Sequence, residues 1–95
     1  MIAPLDAAKA FIGGQIEAFV DASTPSNALA ALVDLEAGAR KARKRLIVHL
    51  VLDGGWTYAQ IGRALGTTRQ AAAKTYGPAV NAQLHRNIRA RWASR

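Results

Sequence analysis

The chain has no cysteine, which rules out disulfides and thiolate metal sites. Aromatics are scarce, at two each of Trp, Tyr and Phe. Much of the 51% hydrophobic content is alanine, so 95 residues would build only a thin core that self-association would help. No apolar run approaches the roughly 18 residues of a membrane span. The start, MIAPLDAAKAF, lacks the basic region of a secretory signal, so a cytoplasmic protein is expected. Strand signals are missing, since β-branched residues are scattered and never alternate over a usable length. Acids are few, six against thirteen Lys and Arg, and His49 and His85 have no ligand spacing. Gly13-Gly14 and Gly54-Gly55 lack the flanks of a phosphate-cradling loop. Catalysis needs paired groups held in a pocket, and nothing here supplies them. An enzyme, a cofactor, a metal and a small-molecule ligand are therefore not expected.

What remains is a basic chain with lopsided charge. Residues 1–39 carry five acids (Asp6, Glu17, Asp21, Asp34, Glu36) against Lys9, a net of −4. Residues 40–95 carry twelve bases against Asp53, a net of +11. Such asymmetry points to a nucleic-acid-facing part and a separate acidic part. The expected organisation is an acidic helical hairpin over 1–39, used for dimerisation, and a basic region over 40–95.

The expected fold class is all-α with about five helices. Leu5, Ala8, Ile12, Ile16, Phe19 and Val20 recur at helical spacing, predicting a first helix from about Pro4 to Asp21. Thr24-Pro25 is a cap followed by a first-turn proline. It opens a long second helix to about Asp53, which Gly54-Gly55 ends. One apolar patch (Leu29, Leu32, Val33, Leu35) is expected to meet the first helix, and another (Leu46, Ile47, Leu50, Val51) the elements that follow. Between them the bases Arg40, Lys41, Arg43, Lys44 and Arg45 point several ways around the helix, so that stretch should be exposed, because unpaired charges are costly to bury.

Residues 54–77, GGWTYAQIGRALGTTRQAAAKTYG, are the most informative stretch. Thr57 and Gln60 have the spacing of a capping box, with Trp56 and Ile61 placed for a hydrophobic staple. Ile61, Ala64 and Leu65 would form the inward stripe of a short helix ended by Gly66. Thr67 or Thr68 would cap the next helix, Arg69–Tyr76. Gly77-Pro78 would stop it and start a last helix to about Ala93, with an apolar stripe of Val80, Leu84, Ile88 and Trp92. Too few residues separate these helices for a β-hairpin wing.

The run IGRALGTTRQAAAK resembles the helix-turn-helix of many bacterial and phage DNA-binding proteins, including domains like sigma-factor region 4. The likeness covers roughly a quarter of the chain. Gly66 matches the turn glycine, Gly62 the small residue where the helices cross, and Ile61, Leu65 and Ala72 the buried positions. The chain departs in having Thr67 where an aliphatic residue is usual, and glycine rather than alanine at 62.

The resemblance implies a recognition helix in the major groove with Thr68, Arg69, Gln70, Ala73 and Lys74 facing DNA. Their chemistry fits independently. Arginine can pair bidentately with guanine, glutamine with adenine, and an alanine methyl can touch thymine. Lys74 suits a phosphate, as do Arg63, Thr57 and the bases of 40–45. The expected partner is double-stranded DNA, with a homodimer formed through the N-terminal helices and no membrane partner; a compact monomeric bundle, with the first helix folded back onto the motif, is the alternative. The expected function is a small sequence-specific regulator or phage-type repressor associated with the nucleoid. Two alternatives stay open: an architectural DNA binder of low specificity, and an adaptor acting through its acidic N-terminal helices.

Overall fold

A computed structural model describes residues 4–93. These residues are all-helical and contain no strand. Four helices follow one another: α1 (Pro4–Val20), α2 (Pro25–Leu52), α3 (Tyr58–Leu65) and α4 (Arg69–Ala93). The chain divides into two compact units, Met1–Leu46 and Ile47–Arg95. The division falls a few residues after the change of charge at 39/40, so Arg40–Arg45 belong to the first unit.

In the first unit, α2 starts as its sequence dictates. The Thr24 hydroxyl accepts from the Asn27 N–H at 3.1 Å and the Thr24 carbonyl from the Ala28 N–H at 2.9 Å, with Pro25 at a position whose N–H would be orphaned anyway. From its start to Ala42, its half-buried or buried positions are Ala28, Ala31, Leu35, Gly38 and Ala42. Their alternating spacing of three and four is that of a packing seam. On α1 the half-buried Ala8, Ile12 and Gln15 repeat this spacing. The Gln15 Nε2 amide donates to the Asp34 carbonyl at 3.1 Å, and a Cβ at Gly38 would run into the Gln15 amide. The Gln15 Oε1 sits in that notch buried and without a partner.

The seam is made of small residues and encloses little. No residue of α1 is buried. Leu29 and Val33 were expected to meet the first helix, but both are 66% exposed. At 100° per residue they fall on the opposite side of α2 from the seam.

In the second unit, Ile47, Ile61 and Ala72 form the core, with Leu50, Val51, Tyr58 and Tyr76 packed against it. On α3 the inward face is Tyr58, Ile61 and Gly62. The expected stripe of Ile61, Ala64 and Leu65 holds only at Ile61, since Ala64 is exposed and Leu65 is 38% exposed.

The described residues form four helices rather than five, because Gly77-Pro78 does not break α4. A residue before proline normally avoids helical geometry because its Cβ and N–H strike the proline ring. Gly77 has no Cβ, so the principal clash is absent. The remaining costs are the ladder bond that position 78 cannot give to the Lys74 carbonyl and the crowding of the proline ring against that carbonyl. Continuity sets Ala72, Tyr76 and Val80 in one row at four-residue spacing, with Ala72 and Val80 buried. The rest of the expected last stripe is exposed, Leu84 and Ile88 at 42% and Trp92 at 69%.

Candidate nucleic-acid interface

The second unit is organised around two threonine caps and one glycine turn. At the start of α3 the Thr57 hydroxyl accepts from the Gln60 N–H at 3.2 Å, while the Gln60 side-chain carbonyl accepts from the Thr57 N–H at 2.9 Å. This reciprocal box satisfies two otherwise orphaned donors. At the end of α3, Gly66 lies in the left-handed region at φ 74°, which glycine enters without a Cβ penalty. Its N–H meets the Arg63 carbonyl at 3.3 Å, and the Thr67 N–H meets the Gly62 carbonyl at 2.8 Å. Thr68 then caps α4, its hydroxyl accepting from the Ala71 N–H at 3.0 Å.

Gly62 of α3 faces the backbone of the turn that leads into α4. A Cβ built there would stand 2.9 Å from the carbonyl oxygens of both Thr67 and Thr68. Side-chain carbon does not approach backbone oxygen that closely without displacement. Alanine at this position would force the turn backbone to shift. On the other side of the crossing, the Tyr58 hydroxyl lies 3.9 Å from where a Cβ of Gly77 would be.

This frame fixes where the expected contact residues stand. Thr68, Arg69 and Gln70 are exposed at the N-terminal end of α4, and Lys74 is exposed one turn further on. Ala73 is half-buried beside the core row. Thr68 uses an oxygen lone pair in its cap, which leaves the hydroxyl proton as its free donor. Thr57 is exposed but is likewise committed to its box. Arg63 is exposed on α3. Arg40, Lys41, Arg43, Lys44 and Arg45 are all exposed and stand in the first unit; within the second unit, Thr68, Arg69, Gln70 and Lys74 share one helix end.

Continuity of α4 adds residues that the sequence reading did not select. Gln70, Lys74, Asn81 and His85 fall within an arc of about 60° on the helix, opposite Ala72, and all four are exposed. The signal was the spacing 70, 74, 81, 85, hidden by the expectation of a break at Gly77-Pro78. Between Ile47 and Ala93 the only acid is Asp53, and its carboxylate lies 2.8 Å from His49 Nδ1. Arg63, Arg69 and Lys74 therefore have no opposing carboxylate on the helices that carry them.

No protein-family model matches the chain, and neither does any curated protein or solved structure.

Proposed function

We propose that α3, its glycine turn and the start of α4 form a helix-turn-helix, and that the chain is a sequence-specific DNA-binding protein, a small regulator or phage-type repressor acting at the nucleoid. The observation that carries this reading is the close packing at Gly62. A short capped helix, a left-handed glycine and a turn packed so closely on Gly62 that an added Cβ would displace it lead into an exposed, acid-free helix end. In this reading Arg69 and Gln70 pair with base edges. Thr68 donates its hydroxyl proton, and Ala73 contributes a half-buried methyl at the edge of the contact. Lys74, Arg63 and the bases of 40–45 neutralise phosphates, which positions the helix without reading sequence. Two copies associate through α1 and α2, whose apolar side chains the hairpin leaves exposed, and two recognition helices then read two half-sites.

The test is selection of bound sequences from a randomised duplex library at about 150 mM salt, where non-specific phosphate attraction is weakened. Enrichment of an inverted repeat with half-sites about one helical turn apart supports the reading. Loss of that enrichment in Arg69→Ala or Gln70→Ala would assign the contact. One observation favours a second reading as an architectural binder: the five bases of 40–45 are exposed over about 200° of α2, away from its seam, and carry no sequence information. Binding without enrichment, abolished by reversing those charges, would establish that reading instead.

A further inference from the structure

Because Gly77-Pro78 leaves α4 unbroken, the helix runs for 25 residues. It carries Arg69, Lys74, Arg86, Arg89 and Arg91 and no acid, so its field suits a polyanion. Beyond Val80, the side chains that bond to one another stand on one side of it. Gln83, Arg86 and Asn87 lie within about 60° of Ala72 around the helix. The Gln83 Nε2 amide donates to Asn87 Oδ1 at 2.8 Å, and Arg86 Nη2 donates to Gln83 Oε1 at 2.7 Å. Asn81 and His85 stand on the opposite side, in line with Gln70 and Lys74. Both are exposed, and among the described residues neither side chain has a hydrogen-bond partner.

Gln70, Lys74, Asn81 and His85 make one face about 22 Å long. Between Lys74 and Asn81 only Gly77 and Pro78 border it, and neither raises a long side chain. The face holds no large apolar side chain of the kind that the centre of a protein interface covers. Leu84 stands at its edge, and Ile88 and Trp92 continue the arc past its end. A straight helix of that length outruns a groove about 12 Å wide that winds around the duplex. If α4 lies lengthwise with Gln70 at base edges, Asn81 and His85 come out over the phosphates that border the groove. A helix entering tip first would point both into solvent.

We propose that α4 lies lengthwise on the duplex and that Asn81 and His85 hold the phosphate backbone beyond the bases met by Arg69 and Gln70. The proposal rests on the helix-turn-helix reading and states how that helix meets DNA. The occupant is a duplex rather than an acidic protein, because the face offers unpaired side-chain donors on an acid-free helix and no apolar side chain. Contacts of this kind fix the orientation and register of the helix without reading sequence. Asn81 and His85 are therefore positioning residues, and sequence preference stays with Arg69 and Gln70.

Two substitutions on nearly opposite sides of α4 make the test. Asn81→Asp and Gln83→Glu each turn an amide into a carboxylate, two positions apart but about 160° around the helix. Full-length variants are titrated by fluorescence anisotropy at about 150 mM salt, on the duplex enriched by selection and on a shuffled duplex of equal length. Circular-dichroism melts establish that each variant is folded. Asn81→Asp should lower affinity about tenfold on both duplexes, as a like charge placed against phosphate does. Gln83→Glu, facing away, should lower it by no more than about twofold. His85→Ala, which adds no charge, should weaken binding on both duplexes and leave the enriched sequence unchanged. Equal losses in Asn81→Asp and Gln83→Glu would reduce the effect to net charge and overturn the proposal. Loss on the enriched duplex alone would make Asn81 a base reader and end its positioning role. No loss in Asn81→Asp or His85→Ala, with Arg69→Ala still abolishing enrichment, would mean that α4 enters tip first; the proposal then fails and the helix-turn-helix reading stands. An unaltered chain that binds neither duplex removes both.

Discussion

Gly62→Ala adds a single methyl at the most tightly constrained backbone position of the second unit. That methyl would lie 2.9 Å from the Thr67 and Thr68 carbonyl oxygens and 3.0 Å from the Thr68 carbonyl carbon. Ordinary contact begins near 3.4 Å, so relief requires the turn to move by about half an ångström. The obstacles are backbone atoms between two capped helices, which cannot rotate aside as a side chain would. Overpacking of this kind costs about 1–3 kcal/mol. Against it stands the usual gain on replacing a mid-helix glycine by alanine, about 0.5–1 kcal/mol. The difference is a net loss near 1 kcal/mol, which lowers the melting temperature by about 4–8 °C in a chain of this size. The measurement is thermal and urea unfolding followed by circular dichroism at 222 nm, with Gly13→Ala as the internal control. Gly13 is also mid-helix but has nothing within 4 Å of its would-be Cβ, so its replacement should stabilise by about 0.5–1 kcal/mol. If Gly62→Ala proves as stable as Gly13→Ala, the close contact between Gly62 and the turn does not exist and the argument built on it fails.

Pro78→Ala separates an uninterrupted α4 from two helices. Within one helix the substitution restores a donor to the Lys74 carbonyl and removes the ring clash, and a gain of about 1–3 kcal/mol is expected in the same unfolding assay. A loss would mean that Pro78 starts a separate helix, where proline is favoured. Thr57→Ala deletes half of the capping box and should cost about 1 kcal/mol, read as a lower urea midpoint at constant m-value. In a DNA titration, reversing two of the bases at 40–45 should flatten the dependence of log K on log salt by about 1–2 units if they neutralise phosphates. An unchanged slope would return them to a solvated helix face.

What the sequence by itself determined is the set of local hydrogen-bond solutions. Thr24-Pro25 starts α2, the Thr57 and Gln60 pair starts α3, and Gly66 ends it. Each of these follows from orphaned backbone groups and φ preferences within one turn of helix, where every participant is a near neighbour in sequence. The position of Arg69, Gln70 and Lys74 on a helix just past that turn was legible for the same reason.

Tertiary structure decided the rest. Gly77-Pro78 reads in the sequence as a stop and a new helix start, yet it lies inside α4. What favours continuity is the alignment of Ala72, Tyr76 and Val80 along one side of α4, two of them buried, and it carries the exposed face on to Asn81 and His85. Ile61 and Leu65 are indistinguishable as members of an apolar stripe, yet one is 1% and the other 38% exposed, because burial depends on where partner helices stand. The cost of alanine in place of glycine at 62 arises from two carbonyls whose positions only the finished turn defines. Caps and turns are interactions of a chain with itself over a few residues, whereas burial, close approach and the choice of an exposed face are set between elements.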